Sequence, residues 1–452
     1  MRSVGSKLAR ALLALLCLVF LAQADLAAQQ AEVRPGKGPS EKPPTEKPKV
    51  RAVTAFIRLD RARYRAEIKE ALAMLTKAKS TFEDAGYEVQ TIRITTQPFP
   101  EYIKDLPRED ALAFFREYDA LAHKDGFDAA IGPAMLADTD DPKQAELLGE
   151  ILVGTSTLEG SIVVAGEDGI HWNAVRAAAK TIKYVSLRSP HSQGNFNFAA
   201  TALVPPLTPF YPGSYHTGPG HQFAVALQSV NVVAAALGST SEADQVLPNQ
   251  EPPNPARPNQ ARPDQARQAL AAALGEHARA IEAAALRVQK QTGWDYAGLD
   301  LSPAPLKEVS IGGAIEKFVG AKFGASGTMT AVAVITGALQ DVQVKRTGYS
   351  GLMLPVLEDS VLAERWSEGA VNLDALLAYS AVCGTGLDVV PLPGSANTAR
   401  LERIIGDVAS LAVKWHKPLS ARLLPVAGKQ AGDMTEFDDP FLVNAKIQDL
   451  VH

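Results

Sequence analysis

The sequence predicts a large α/β domain, and three observations indicate this class. The chain opens as strand, helix and strand over residues 53–94. Short apolar segments then alternate with amphipathic helical segments along its full length, which is typical of one α/β domain rather than several small modules. Hydrophobic residues make up 46% of the chain, and this is an ordinary composition for a globular protein.

The first three elements follow from hydrophobic periodicity. Apolar residues alternate at 53–59, as in a half-buried strand. Residues 64–84 carry apolar side chains at helical spacing, and Gly86 ends this helix. The next strand begins at Val89, so the spacing predicts a β-α-β unit.

The later elements continue this alternation. Short buried strands are predicted at 161–165 and 351–356, and helices at 173–183, 220–237, 268–291, 329–339, 359–366 and 398–415.

The amino terminus resembles a secretory signal peptide over residues 1–24. Arg2, Lys7 and Arg10 precede an apolar run at 11–22, and Ala22-Gln-Ala24 is a small-x-small cleavage signal. We therefore expect a secreted or periplasmic protein, with no membrane contact beyond this signal. An uncleaved anchor is the alternative.

Two segments interrupt the globular composition. Residues 25–50 mix proline with alternating charge, which predicts a disordered tether. Residues 239–267 repeat Ala-Arg-Pro-x-Gln and contain little that a core could bury, so we expect a disordered surface insertion within the main domain, 51–450.

The charge balance argues against nucleic acid as a partner. The formal net charge is −5, and loss of the three basic leader residues would make it more negative. No lysine or arginine block stands in the domain, and binding to phosphodiester backbones requires one. The sequence leaves the oligomeric state open and identifies no cofactor.

Several segments together resemble an uncharacterised bacterial and archaeal family described as pyruvate-formate-lyase-like. The resemblance covers about residues 51–444 and is carried, in order, by residues 85–99, 195–200, 209–216, 324–328, 348–359, 379–394 and 417–422. It implies a single large ten-stranded α/β barrel, like that of glycyl radical enzymes, which encloses a loop with a reactive cysteine. It implies no particular reaction, because a fold alone does not determine function.

The radical chemistry of glycyl radical enzymes is not predicted. Those enzymes resemble one another in an Arg-Val-x-Gly-Tyr element near the carboxyl terminus, after the cysteine. The nearest string here, Lys345-Arg-Thr-Gly-Tyr349, differs in register and precedes Cys383. A motif counts only in its structural context.

Cys383 is the one cysteine that follows the leader, since the other is Cys17. It stands before the Gly384-Thr-Gly386 turn, whose amides could stabilise a thiolate, and Asp388 could orient a histidine or hold a substrate amine. Cys383 is therefore a candidate nucleophile. A buried, inert cysteine in a small apolar pocket explains the same residues.

His216 is the second catalytic candidate. It lies in a Gly-Pro loop that also contains His221, and imidazole titrates near neutral pH, which suits a proton carrier. Two histidines five apart are not a recognised zinc signature, so we predict no metal site.

Four residues are candidates for binding an anionic small molecule. Arg93 and Arg422 stand in strand-like segments, where a guanidinium could clamp a carboxylate or form a surface ion pair. Ser326 and Thr328 precede a helix, where they could help to bind an anion or simply cap the helix.

Glu358 is the third catalytic candidate, because it follows a predicted strand and barrel chemistry gathers at strand ends. The neighbouring Asp359 is a plausible helix cap. These residues predict an exported, non-radical enzyme for a small carboxylate- or carbonyl-containing substrate, with Cys383, His216, Arg93 and Arg422 in one pocket. An exported small-molecule-binding protein is the alternative.

Overall fold

The computed structural model describes residues 47–242 and 261–450. The predicted signal peptide, most of the predicted tether and residues 243–260 of the predicted insertion lie outside these ranges. The described ends of that insertion are helical, because one helix continues to Glu242 and the next begins at Ala261.

A mixed sheet of ten strands forms the centre of the fold, as the α/β prediction requires. The strands are β1 Lys49–Ile57, β2 Val89–Thr96, β3 Asp128–Pro133, β4 Leu158–Gly166, β5 Gly169–Ile170, β6 Phe198–Ala202, β7 Gln222–Gln228, β8 Asp295–Asp300, β9 Gly386–Pro393 and β10 Leu419–Val426. Their order is β8-β7-β1-β2-β3-β4-β6-β10-β9, and β5 pairs with β4 outside this path.

The strands run in two directions. β1, β2, β3, β4 and β6 are parallel to one another. β7 is antiparallel to β1 and parallel to β8, while β10 is antiparallel to β6 and parallel to β9. Each end of the sheet therefore finishes in a pair of reversed strands.

Helices follow most strands and cover the sheet. They are α1 Tyr64–Asp84, α2 Pro100–Ile103, α3 Arg108–Asp125, α4 Lys143–Gly154, α5 Trp172–Arg188, α6 Val230–Glu242, α7 Ala261–Thr292, α8 Ile311–Val319, α9 Thr328–Asp341, α10 Ser360–Glu368, α11 Leu373–Ser380 and α12 Thr398–Trp415, with a 3₁₀ segment at Pro190–Asn197. None of these helices, within the described ranges, is both long and apolar enough to cross a membrane.

Two of the predicted elements differ from the structure. The helix predicted at 220–237 is wrong in its first half, where Gln222–Gln228 is strand β7 and only residues from Val230 onward are helical. The apolar run reads equally as strand or helix, and pairing with β1 decides in favour of the strand. Residues 351–356, predicted as a strand, form an irregular segment instead.

The sheet is not closed by a hydrogen-bonded ladder among the described strands, because β8 and β9 remain its edges. An irregular segment, residues 345–356, contacts both edges. Thr347 donates its amide to the Leu299 carbonyl of β8 (3.2 Å), and the Val356 amide donates to the Asp388 carbonyl of β9 (3.0 Å). The same piece of chain thus lies against the two ends of the sheet.

Two β-bulges place charged residues in the sheet. In the pairing of β1 with β7, the register shifts at Arg51. In the pairing of β9 with β10, Asp388 and Val389 both lie opposite Arg422, so β9 carries one extra residue at this point. Val389 has a φ of 49°. A bulge re-aims the side chain at that point, and a valine with positive φ is held there by its surroundings.

Candidate functional site

A cavity of about 220 Å³ lies beside the first residues of several strands. Arg51 is the third residue of β1, Asp128 the first of β3 and Glu159 the second of β4. The bulged part of β9, the middle of β10 and the irregular segment complete the wall. Its charged lining comprises three arginines and five carboxylic acids: Arg51, Arg93, Arg422, Asp128, Glu159, Glu358, Asp388 and Asp439.

Arg422 forms two ion pairs in this wall. Its Nη1 donates to Glu358 Oε1 and to Asp388 Oδ1, both at 2.9 Å, and its Nη2 donates to the Phe196 carbonyl at 2.9 Å. The guanidinium carbon also lies 4.8 Å from the centre of the Phe196 ring. Burial would lower the pKa of Arg422, but Asp388, Glu358 and Glu159 raise it above its usual value, so the group stays charged.

Asp388 differs from a surface aspartate in its acidity. Burial raises its pKa to about 6, Arg422 opposes this change and Glu358 adds to it. The bulge in β9 is the local cause of its position, since the extra residue turns Asp388 toward Arg422.

Arg93 lies on the neighbouring side of the cavity, in the middle of β2. Its Nε lies 3.4 Å from Asp128 Oδ2 and donates to Thr91 Oγ1 at 3.2 Å. Its guanidinium carbon stacks 4.6 Å from the centre of the Tyr211 ring. The Tyr211 hydroxyl donates to the Ile94 carbonyl at 2.8 Å, so this ring is fixed in place.

Arg51 has no hydrogen bond from its guanidinium and no ion pair with any residue in 47–242 or 261–450. Its guanidinium carbon lies 5.3 Å from the centre of the Phe441 ring. Burial and then the positive charge of Arg93 lower the pKa of Arg51 to about 10, a value at which it remains protonated at neutral pH. This guanidinium faces the cavity with its donors unused.

Glu159 is the carboxylic acid whose pKa is most unusual in this cavity. Burial raises its pKa from 4.5 to about 8; Arg93 and Arg422 oppose this change, and Asp128 and Glu358 add to it. The carboxyl has no hydrogen bond or ion pair with another residue in the part of the chain that the structure describes. At neutral pH, Glu159 is therefore mostly a neutral acid that faces the cavity.

Four of the residues proposed from the sequence line this cavity: Arg93, Arg422, Glu358 and Asp388. Cys383 does not. Its side chain is buried in the apolar core, and the adjacent Gly384 donates its amide to the Leu352 carbonyl at 2.7 Å. A Cβ at Gly384 would lie 2.4 Å from Gly351, so the glycine permits two chain segments to touch.

His216 lies at the opposite end of β1 from Arg51. Its Nε2 donates to the carbonyl of Ile57, the last residue of β1, at 2.7 Å. Ile57 is the sixth residue after Arg51 along the strand, which corresponds to a span of about 20 Å. Burial lowers the pKa of His216, which makes a packed, neutral imidazole. The structure therefore does not bring Cys383, His216 and Arg422 together in this cavity.

Ser326 and Thr328 stand at the start of α9, away from the cavity lining. Gly327 occupies the cap position, and neither hydroxyl caps the helix. Ser326 is exposed, whereas Thr328 is buried and accepts the Gly324 amide at 3.1 Å. In contrast, Asp359 is a helix cap as predicted, because it accepts the Val361 and Leu362 amides at 3.0 Å.

The sequence reasoning missed Arg51, Asp128 and Glu159 as site residues. Each stands directly before an apolar run that forms a buried strand. A charged residue in that position could have been recognised from the sequence, because neighbouring parallel strands place their first residues at the same edge of the sheet. No group of three or more His, Cys, Asp and Glu side chains in the described ranges is arranged to hold a metal ion.

Comparisons with known proteins identify relatives in archaea and bacteria. A UPF0210 protein from Pyrobaculum aerophilum is 34% identical over 77% of this chain and 76% of its own length. A UPF0210 protein from Desulforudis audaxviator is 29% identical over 78% of this chain and 77% of its own. One from Methanopyrus kandleri is 29% identical over 86% of this chain and 88% of its own.

These relatives overturn the function predicted from the sequence. An exported enzyme or exported binding protein for a carboxylate- or carbonyl-containing molecule was expected. The matched proteins are UPF0210 proteins of archaea and bacteria, and nothing in their names supports export or such a substrate. That prediction is wrong.

The family profile described as "Uncharacterised ACR (DUF711)" matches residues 44–439, which include all six strands with charged cavity residues. Together with the relative that is 34% identical over most of both chains, this match shows the family. The chain belongs to the DUF711, or UPF0210, family of uncharacterised proteins.

Proposed function

We propose that this protein is an enzyme that transfers protons on a small molecule bound in the charged cavity. The observation that carries the proposal is Glu159. Its carboxyl faces the cavity without a partner among the described side chains, and burial raises its pKa to about 8. General acid–base catalysis is most efficient when the pKa of the catalytic group lies near the working pH.

Glu159 acts in this proposal as the proton donor and acceptor. Its neutral form gives a proton to a substrate atom as electron density builds on that atom, and the resulting carboxylate regains a proton later in the cycle. Isomerisation and dehydration are reactions of this type. Strongly perturbed carboxyls in clefts occur often at functional sites.

The remaining charged residues divide into free and occupied groups. Arg51 is free and is suited to hold an anionic part of the substrate. Arg422, Glu358 and Asp388 are already bonded to one another, so they are suited to maintaining the cavity wall and its electric field. Cys383 and His216 have no part in this mechanism, because neither lines the cavity.

We also propose that the sheet and residues 345–356 together make a barrel of the kind found in glycyl radical enzymes. The support is the contact of this segment with both edge strands. Besides the Thr347 and Val356 bonds, the Leu299 amide donates to the Lys345 carbonyl at 2.8 Å. In such a barrel, the Glu159 carboxyl lies on the inner side of the sheet, where burial raises its pKa.

The test of the enzyme proposal compares three proteins in one assay. The full chain, Glu159→Gln and Glu167→Gln are each incubated with a mixture of small metabolites, and mass spectrometry follows consumption and product formation. Glu167 is the matched control, since its carboxylate is 80% exposed and lies outside the cavity. We expect turnover by the wild type and by Glu167→Gln, and loss of about a hundredfold or more in Glu159→Gln.

A physical measurement supports the same test. Infrared spectroscopy at pH 7 should detect a protonated carboxyl band that is missing in Glu159→Gln and present in Glu167→Gln. Turnover by Glu159→Gln at the wild-type rate would remove Glu159 from the mechanism.

A further inference from the structure

Arg51 and Arg93 both line the cavity, and each has guanidinium donors that no described residue accepts. Arg51 contacts the Phe441 ring but donates no side-chain bond to a described residue. Arg93 donates through Nε to Thr91 and forms an ion pair with Asp128, but its Nη groups donate no hydrogen bond to a residue in the described part of the chain. Both side chains line the cavity.

The two arginines stand on the adjacent strands β1 and β2, where Arg93 pairs with Thr54, three residues beyond Arg51. They are close enough for the charge of Arg93 to lower the pKa of Arg51, after the larger effect of burial. Two like charges in partly buried positions repel each other, and the repulsion is relieved when an anion binds in the cavity that both side chains line. Aromatic rings support both guanidinium planes, Phe441 under Arg51 and Tyr211 under Arg93.

We infer that Arg51 and Arg93 form a binding subsite for the phosphate group of a phosphorylated small molecule. The inference rests on the proposed function, because it assigns the substrate class of the same cavity. A guanidinium presents pairs of parallel donors, and one such pair is satisfied by a carboxylate. Two guanidiniums require more acceptors, and a phosphate monoester supplies three terminal oxygens and close to two negative charges.

The other charged groups leave this subsite to Arg51 and Arg93. Arg422 is less available, because Glu358, Asp388 and the Phe196 carbonyl already accept from both of its Nη groups and only its Nε has no partner among the described residues. Glu159 adds little repulsion toward an anion at neutral pH, since its carboxyl is mostly protonated. Asp128 offsets part of the charge of Arg93 from a position where its side chain is 43% exposed and well hydrated.

The experiment measures binding of inorganic phosphate to the full chain by isothermal titration calorimetry, with acetate as the competing class of anion. The variants are Arg51→Gln, Arg51→Lys and Arg93→Gln. Arg188→Gln is the control, because Arg188 stacks on Tyr184 outside the cavity. Arg51 has no ion-pair partner among the described residues, so its replacement leaves no paired carboxylate without its counter-charge. Thermal unfolding verifies that each variant is folded.

We expect saturable phosphate binding that exceeds acetate binding, a loss of about tenfold or more in Arg51→Gln and Arg93→Gln, and a smaller loss in Arg51→Lys. Arg188→Gln should match the wild type. Acetate binding as tight as phosphate, or an Arg51→Gln variant that binds phosphate like the wild type, would overturn the inference.

The outcome for the subsite is separable from the outcome for catalysis. Glu159→Gln should retain phosphate binding within about threefold, since it preserves a neutral side chain of the same size. Loss of turnover in Glu159→Gln with no binding of phosphate would leave the acid–base proposal standing and refute the phosphate subsite. Phosphate binding together with full turnover by Glu159→Gln would support the phosphate subsite and refute the acid–base proposal.

Discussion

Arg422 Nη1 lies 2.9 Å from Asp388 Oδ1, and the bulge in β9 makes this contact possible. The same nitrogen lies 2.9 Å from Glu358 Oε1, so one cation holds two acids from different parts of the chain. All three side chains are at most 14% exposed. The charges are therefore coupled strongly to the stability of the fold.

Replacement of Arg422 by leucine should destabilise the protein by about 3–5 kcal/mol, because it leaves two buried carboxylates without their cation. Chemical denaturation at pH 7.5 measures this difference. The matched control is Arg267→Leu, which breaks an exposed pair with Asp341 and should cost about 1 kcal/mol or less. Equal losses of stability in the two variants would show that the buried ion pairs stabilise the fold no more than the exposed pair does.

Glu159 should give the stability of the protein a distinctive pH dependence. Its folded pKa of about 8 exceeds its ordinary value of 4.5, so the folded state binds this proton more tightly than the unfolded state. Stability from this group is therefore complete at low pH and is lost as pH rises from about 4.5 to about 8. Glu159→Gln should flatten the curve in this window.

Denaturation midpoints at several pH values provide the measurement. Glu167→Gln should keep the wild-type slope, because its carboxylate is exposed. An unchanged slope in Glu159→Gln would contradict the raised pKa.

Asp359 should be among the most sensitive polar residues, because it caps two helices at once. Its Oδ1 accepts the Val361 and Leu362 amides of α10, and its Oδ2 accepts the Ile311 and Gly312 amides of α8 at 2.7 and 3.1 Å. Asp359→Ala should lower the free energy of unfolding by about 2–4 kcal/mol, because both helices lose a cap and their buried amides lose a hydrogen-bond acceptor. Thermal and chemical unfolding measure it.

The control for this change is Asn397→Ala, which removes one exposed cap from α12 and should cost about 1 kcal/mol. A smaller loss at Asp359 than at Asn397 would refute the double-cap account.

Cys383 should be unreactive in the folded protein, since its side chain is 1% exposed and packed in the core. Iodoacetamide at neutral pH should label the Cys383 peptide slowly in buffer and rapidly in denaturant, as peptide mapping would show. Cys383→Ala should leave phosphate binding unchanged. Rapid labelling of the native protein at Cys383 would restore the nucleophile hypothesis.

Much of the local structure was predictable from hydrophobic periodicity. The helices predicted at 64–84 and 398–415 match α1 and α12 to the residue, because each has a clear apolar stripe and a clear stop. Periodicity failed at 220–237, where Phe223-Ala-Val-Ala-Leu227 is apolar on both faces and long-range pairing decides the outcome.

The candidate site was only partly predictable. Arg93, Arg422, Glu358 and Asp388 were identified, but the role of each depends on partners far away in sequence. The pKa of Glu159 is raised by burial and by the charges of Asp128 and Glu358. No local sequence pattern indicates these contacts. Cys383 and His216 were proposed because of their chemistry, whereas the structure places both side chains in buried positions outside the cavity lining.

The placement of residues 345–356 between the two edges of the sheet has a consequence for synthesis of the chain. Arg51, Arg93 and Glu159 emerge early from the ribosome, while Glu358, Asp388 and Arg422 emerge near the end. A nascent chain can pair its first strands long before the opposite wall exists. The cavity is therefore completed late, and a truncation before β10 would remove Arg422 from its wall while leaving Arg51, Arg93 and Glu159 in the remaining chain.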